Sequence, residues 1–149
     1  MVNMSCWLGI DHGTKRIGVA VGDTASKIAT PLEVLAAAPQ ERAIERIGEL
    51  ARQYQAEGIV VGLPLNMDGS EGPQAALARR MAGQIAGALG LPVRLFDERL
   101  SSFAADQALS GLLTRGKKKA RQDAVAAAAM LHDFLAAGCP PTQPNPNQK

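Results

Sequence analysis

The first third of the chain carries three short apolar runs, separated by polar and turn-forming residues. The first two are Ser5 to Ile10 and Ile17 to Val21, and the segment HGTKR lies between them. Two apolar runs joined by a glycine-containing turn are typical of a β-hairpin. The third run, Ile28 to Leu35, predicts an edge strand, because Pro31 cannot donate a hydrogen bond within a central ladder.

Beyond residue 40 the apolar positions show helical spacing, interrupted by short runs that are apolar throughout. One such run, IVVGL at 59–63, is typical of a strand covered on both faces. In chain order the pattern predicts a helix over 40–55, a strand over 59–63, a loop over 64–73, a helix over 73–89, a strand over 92–96, a helix from Ser101 or Ser102 to 113, a basic loop over 114–119 and a helix over 121–137. Antiparallel strands followed by βα units predict an α/β fold, in which helices flank a mixed five-stranded sheet.

The length of 149 residues is close to the commonest size of a single domain. With 46% hydrophobic and 20% charged residues, the composition excludes a disordered chain and a membrane protein. Asp11 comes too early for a secretory signal peptide, so we expect none. We predict a domain over residues 1–137 and a disordered tail over 138–149, which holds four of the nine prolines.

The two cysteines, Cys6 and Cys139, have no second cysteine or histidine at a spacing that suits a zinc site. We expect them to be free thiols in a reducing cytoplasm. The formal net charge of +2 is too small to indicate nucleic-acid binding by itself. Any such prediction must therefore depend on local clusters of charge.

Three acids stand out by their positions. Asp11 follows the first strand, and Glu98 follows the strand that ends at Phe96. Residues at the carboxyl ends of strands border the usual ligand crevice of an open α/β sheet. Asp123 shares one face of the last helix with four apolar residues: Ala126, Ala127, Met130 and Phe134. A carboxylate on that buried stripe is costly unless it is paired or binds a metal.

Together, these acids predict a divalent-cation site. Their mutual repulsion is relieved by a cation with a preference for hard oxygen ligands, such as Mg²⁺ or Mn²⁺. Such a site activates water and stabilises the charge that develops on a phosphodiester. Each acid alone also has an ordinary structural interpretation: Asp11 as a turn residue, Glu98 as a partner of Arg99, and Asp123 as a favourable charge at a helix N-terminus. Asp97 stays a second candidate beside Glu98.

Basic residues lie close to two of these acids along the chain. Lys15 and Arg16 follow Asp11, and five more precede Asp123: Arg115, Lys117, Lys118, Lys119 and Arg121. Basic side chains beside metal-binding acids are suited to holding a phosphate backbone, although a lone run of charge is more often a solvated loop. Aromatic residues make up only 3%, which argues against base-stacking platforms. If nucleic acid binds, its shape and backbone would dominate recognition.

Five segments, taken together in their order and spacing, resemble the YqgF family of bacterial RNase H-like proteins. The resemblance extends to about Ala137 and is carried by LGIDHGTKRIGVAVGD (8–23), KIATPLEVL (27–35), IVVGLPLNMDGSEGPQA (59–75), LFDERLSSFAAD (95–106) and QDAVAAAAML (122–131). It implies an RNase H-like fold and a nuclease that matures the 5′ end of pre-16S ribosomal RNA. Some members were proposed as Holliday-junction resolvases, which act on branched DNA.

The resemblance also implies roles for individual residues. Asp11, Glu98 and Asp123 would be the metal-binding catalytic acids, and Arg99 a structural or phosphate-contacting partner. This chain departs from the family pattern in two places, since His12 stands where an aromatic residue is common and Gln122 where an apolar one is common. Neither departure removes an acid.

Two other classes of function stay open. The segment GIDHGTKRIGVAV is also similar to the first phosphate loop of actin-like ATPases and sugar kinases, which clasp a nucleotide between two domains. That hypothesis predicts stabilisation by nucleotide, whereas a non-enzymatic RNA-binding or interaction protein would tolerate Asp11→Asn. The sequence leaves both a monomer and a homodimer possible.

Overall fold

The computed structural model describes residues 5–98 and 115–142, with the backbone alone over 115–122. Its five strands form one sheet in the order β3-β2-β1-β4-β5. The strands are β1 (Cys6–His12), β2 (Arg16–Asp23), β3 (Ala29–Ala36), β4 (Gly58–Leu63) and β5 (Val93–Asp97). β1 is antiparallel to β2 and parallel to β4, β2 is antiparallel to β3, and β4 is parallel to β5. The mixed five-stranded sheet predicted from the sequence is confirmed.

Helices cover both faces of this sheet. They are α1 (Gln40–Gln53), α2 (Pro73–Leu89) and α3 (Arg115–Ala136). On one face, α1 and α2 bury aliphatic side chains such as Ile47 and Met81 against β1 and β4. On the other face, α3 buries Phe134 against Trp7 and Phe96. All six residues of β4 are buried, as its uniformly apolar sequence predicts.

β3 lies at one edge of the sheet, as its proline predicts. Pro31 pairs with Ala20 next to a register shift in the β2–β3 ladder, where a missing N–H donor is tolerated. The edge position therefore accommodates a residue that a central strand would exclude.

The prediction of a basic loop over 114–119 is wrong from residue 115 onward. α3 begins at Arg115, six residues before the helix start predicted at Arg121. It therefore includes the basic run, which is Arg115, Lys117, Lys118, Lys119 and Arg121. Lysine, arginine and alanine are good helix formers, and no proline interrupts the segment, so the helix extends through it. Arg99 and the helix predicted over 101–113 lie outside the described residues.

Beyond α3, the chain stays in contact with the sheet. The Arg94 guanidinium donates a hydrogen bond to the Cys139 carbonyl, and the Leu95 N–H donates one to Thr142 Oγ1 at 2.9 Å. The chain thus contacts the sheet beyond the boundary predicted at residue 137, as far as Thr142. Residues 143–149 lie outside the described residues. The division into domain and tail stays a prediction.

Two further features concern thiols and membranes. Cys6 and Cys139 are both free. Within residues 5–98 and 115–142, no helix combines the length and the apolarity that crossing a membrane requires.

Candidate active site

Asp11 and Glu98 meet at one edge of the sheet. Asp11 is the penultimate residue of β1, and Glu98 directly follows β5. These two strands are parallel and flank β4, so their carboxyl ends lie at the same edge. The Glu98 carboxyl group reaches across β4 and forms a hydrogen bond with Asp11.

A glycine in β4 makes this contact possible. A Cβ atom at Gly62 would lie closer than 3.0 Å to the Glu98 carboxyl group. Without a side chain at residue 62, the Glu98 side chain can cross the strand and reach Asp11. Gly62 is not among the predicted site residues, although a glycine inside an apolar strand often marks such a close approach.

The environment strongly favours the protonated form of Glu98. Burial, the hydrogen bond with Asp11 and the negative charges of Asp11 and Asp97 raise the pKa of Glu98 to about 9. At neutral pH, Glu98 therefore carries a proton, because two adjacent carboxylates in a partly buried site cannot both be ionised cheaply. A divalent cation bound by the two carboxylates would relieve the same repulsion. The pair fits Mg²⁺ or Mn²⁺, which prefer carboxylate oxygens.

Asp123 lies near this pair, but its carboxylate has another partner. The backbone of α3 at Asp123 lies directly on Gly18, and Gly18 pairs with Asp11 across the β1–β2 ladder. The Asp123 Oδ2 atom accepts a hydrogen bond from Arg16 Nε at 2.7 Å. Across the described ranges, no three His, Cys, Asp or Glu side chains are grouped closely enough to hold a metal. The structure thus brings together two of the three predicted acids and pairs the third with an arginine.

Strand alternation separates Glu98 from its neighbour Asp97. Phe96 packs on the α3 side of β5, so Asp97 projects toward the α1–α2 side, whereas Glu98 joins Asp11. His12 follows Asp11 on β1 and also projects toward the α1–α2 side. Its Nδ1 is buried and has no hydrogen-bond partner among the residues that the structure covers, and burial lowers the pKa of its ring. The contact with Asp11 is made by Glu98.

The structure describes the side chains of only two of the basic residues that we predict to bind phosphate, Lys15 and Arg16. Lys15 is exposed in the β1–β2 turn, and Arg16 contacts Asp123. The other basic residues of the predicted set fall in two groups. Arg99 is outside the description, and the backbone alone is described for Arg115, Lys117, Lys118, Lys119 and Arg121, all in the first two turns of α3. Their roles stay predictions.

Comparison with known proteins assigns the family. A sequence model of the family described as "RuvX: Holliday junction resolvase" matches residues 5–137. This chain belongs to the RuvX family. RuvX is the family called YqgF in the sequence analysis, so the membership expected from the motifs is confirmed. The matched residues include Asp11, Glu98 and Asp123.

Curated relatives of this RuvX protein carry the name "Putative pre-16S rRNA nuclease". One from Chloroflexus aurantiacus strain J-10-fl is 46% identical over 142 residues, covering 95% of this chain and 90% of the relative. Another, from Pelotomaculum thermopropionicum, is 47% identical over 130 residues, covering 86% of this chain and 84% of the relative.

Solved structures show the same fold. T. thermophilus RuvC in complex with a Holliday junction substrate matches with a TM-score of 0.55 and 19% identity, covering 91% of this chain and 96% of RuvC. A second T. thermophilus RuvC structure matches with a TM-score of 0.51 and 20% identity, covering 89% and 96%. The expected RNase H-like fold is confirmed for this RuvX protein.

The raised pKa of Glu98 gives a pH dependence that can be measured on this RuvX protein without divalent cations. Because the pKa of Glu98 is higher in the folded state than in the unfolded state, this group lowers stability as pH rises from about 4.5 toward about 9. Glu98→Gln keeps the shape of the protonated acid and cannot ionise. We expect the variant to unfold at a higher temperature than the wild type at pH 8, with little difference at pH 4. Thermal unfolding across this pH range in the presence of a chelator measures the effect, and parallel curves would contradict it.

Proposed function

We propose that this RuvX protein is a nuclease that depends on Mg²⁺ or Mn²⁺ and matures the 5′ end of pre-16S ribosomal RNA. The main support is the contact between Asp11 and Glu98, two carboxyl groups that a cation would stabilise. The relatives named for pre-16S rRNA support the substrate. The bacterial cytoplasm is the proposed location, since precursor rRNA is processed there.

The three acids have distinct proposed roles. Asp11 and Asp123 would hold the cation, and Glu98 would complete the set of ligands or orient a water molecule. A bound cation would supply Lewis-acid chemistry, with activation of water and neutralisation of charge on the phosphodiester. Because Glu98 is protonated in the cation-free pair, it must lose that proton to act as a ligand.

The nucleic acid would be held through its backbone. Lys15 is exposed beside the edge that carries Asp11, and the basic run of α3 precedes Asp123 on the same helix. We propose phosphate contacts for Lys15, Arg16, Arg99, Arg115, Lys117, Lys118, Lys119 and Arg121. Contacts of this kind position a substrate without reading its sequence.

A second candidate substrate is the four-way DNA junction, which the description of the family supports. Symmetric cleavage of a junction requires two active sites and hence a homodimer, whereas trimming of RNA requires one site and suits a monomer. The deciding experiment compares cleavage of a pre-16S rRNA fragment with a 5′ extension and of a synthetic junction, with Mg²⁺ or Mn²⁺. We expect the RNA to be cleaved faster. Faster cleavage of the junction would favour the second candidate, and cleavage of neither would contradict both.

The basic run gives a prediction about binding. Replacing Lys117, Lys118 and Lys119 with alanine removes three proposed phosphate contacts. We expect weaker RNA binding at low salt and a slope of log affinity against log salt that is less steep by roughly 2 to 3. Fluorescence anisotropy over a salt series measures the slope. Substituting three exposed residues of α1 and α2, Arg42, Arg52 and Arg80, controls for the change in net charge, and an unchanged slope in the lysine variant would refute the role.

A further inference from the structure

Arg16 forms an ion pair with Asp123, the carboxylate that the proposed function assigns to the cation. Its Nε atom lies 2.7 Å from Asp123 Oδ2, and this contact links residues 107 positions apart in the chain. Arg16 and Gly18 project from the same face of β2 by strand alternation, and Gly18 pairs with Asp11. The Arg16–Asp123 pair thus adjoins the Asp11–Glu98 pair on the side of the sheet that α3 covers.

The pair has the properties of an exchangeable contact. The Arg16 side chain is 41% exposed and the Asp123 side chain 29%, so water can solvate both groups when they separate. Partly exposed ion pairs contribute little to stability. A divalent cation offers the carboxylate twice the charge of a guanidinium, and its charge would repel a guanidinium held on the same carboxylate.

We infer that Arg16 competes with the divalent cation for the Asp123 carboxylate, and thereby sets the affinity of the site. The inference rests on the function proposed above. In the cation-free protein, Arg16 neutralises Asp123 near the Asp11–Glu98 pair, which keeps the Asp123 carboxylate from repelling that of Asp11. Binding of a cation to Asp123 would break the Arg16–Asp123 ion pair and leave the Arg16 guanidinium available to contact substrate phosphates. Arg16 is therefore a positioning residue, which acts through Asp123.

Titration with Mn²⁺ tests the competition without substrate or catalysis. Electron paramagnetic resonance of free Mn²⁺ gives the dissociation constant for the full chain. We expect Arg16→Gln to bind Mn²⁺ about two- to fivefold more tightly than the wild type, because the competing ion pair is gone. Arg16→Met should show the same gain, and Arg16→Lys, which keeps a competing cation, should stay close to the wild type. Circular dichroism checks that each variant is folded.

Lys15→Gln is the matched control. Lys15 is the adjacent residue in the chain and is exposed, so its replacement changes the net charge equally. We expect it to change Mn²⁺ affinity less than Arg16→Gln does. In an Asp123→Asn background, the gain from Arg16→Gln should fall to the level of the gain from Lys15→Gln, since the contested carboxylate is absent.

The outcomes separate this inference from the function on which it rests. If the wild type binds Mn²⁺ no better than Asp11→Asn does, the proposed cation site is refuted, and the competition with it. If the wild type binds Mn²⁺ through Asp11 but Arg16→Gln and Lys15→Gln have the same affinity, the competition alone is refuted. An Arg16→Gln gain that persists in full in the Asp123→Asn background refutes it as well.

Discussion

Asp11→Asn is expected to lower the rate of RNA cleavage by more than about 100-fold, since even residues that only support metal ligands cost 10- to 100-fold when replaced. The amide keeps the size of the side chain and loses the charge that a divalent cation requires. The fold should survive, because removing that charge relieves the repulsion that adds to burial in raising the pKa of Glu98. Single-turnover cleavage and thermal unfolding of both proteins measure the two effects.

Glu45→Gln is the matched control for this prediction. Glu45 is exposed on α1, on the opposite side of the sheet from the candidate site, and its replacement makes the same change of charge. The control should cleave at the wild-type rate. Equal cleavage by wild type and Asp11→Asn would identify a contaminating nuclease or a different site. If neither cleaves and both bind RNA equally, the non-enzymatic hypothesis gains support.

Gly18→Ala is expected to destabilise the fold by about 3 kcal/mol and to lower the melting temperature by roughly 6 to 12 °C. A Cβ atom at residue 18 would lie closer than 3.0 Å to the backbone of Asp123 and Ala124, and a helix backbone cannot rotate away as a side chain can. α3 must therefore move off β2, which also displaces Asp123 from the site. Thermal unfolding and Mn²⁺ affinity measure the two consequences.

Gly83→Ala provides the comparison for this substitution. Gly83 lies inside α2, is exposed, and a Cβ atom there would meet nothing within 4 Å. Alanine at an unstrained helical position stabilises a protein by about 0.4 to 1 kcal/mol, so this variant should melt slightly above the wild type. If Gly18→Ala melted at the same temperature as Gly83→Ala, the close contact of α3 with β2 would be wrong.

The strands and the first two helices could be predicted well because their apolar spacing is regular. β4 is uniformly apolar and buried on both faces, and Pro31 places β3 at an edge. The start of α3 could not be placed, because six of its first seven residues are polar or glycine and show no apolar period. A helix of that kind depends on intrinsic propensity and on the turns that follow it, and neither leaves an amphipathic pattern.

The candidate site was only partly predictable. Chain position indicated Asp11 and Glu98, since Asp11 lies at the carboxyl end of β1 and Glu98 directly follows β5, at the same edge of the sheet. The sequence put Glu98 before Asp97 through family resemblance, and the alternation of β5 and the gap at Gly62 give the physical reason why Glu98 contacts Asp11. Gly18 was likewise overlooked, although it too interrupts an apolar strand where α3 approaches most closely.

The sequence by itself determined the order of the elements, the mixed sheet and the three acids that family resemblance selects. These properties depend on local periodicity and on motifs, which the chain carries whatever its tertiary contacts. Only the tertiary structure decided the partners: Asp11 with Glu98, and Asp123 with Arg16. Partly exposed charged side chains gain little energy from any one partner, so charge alone does not decide which side chains pair. The packing of α3 on the sheet decides it, because it sets which groups lie close together.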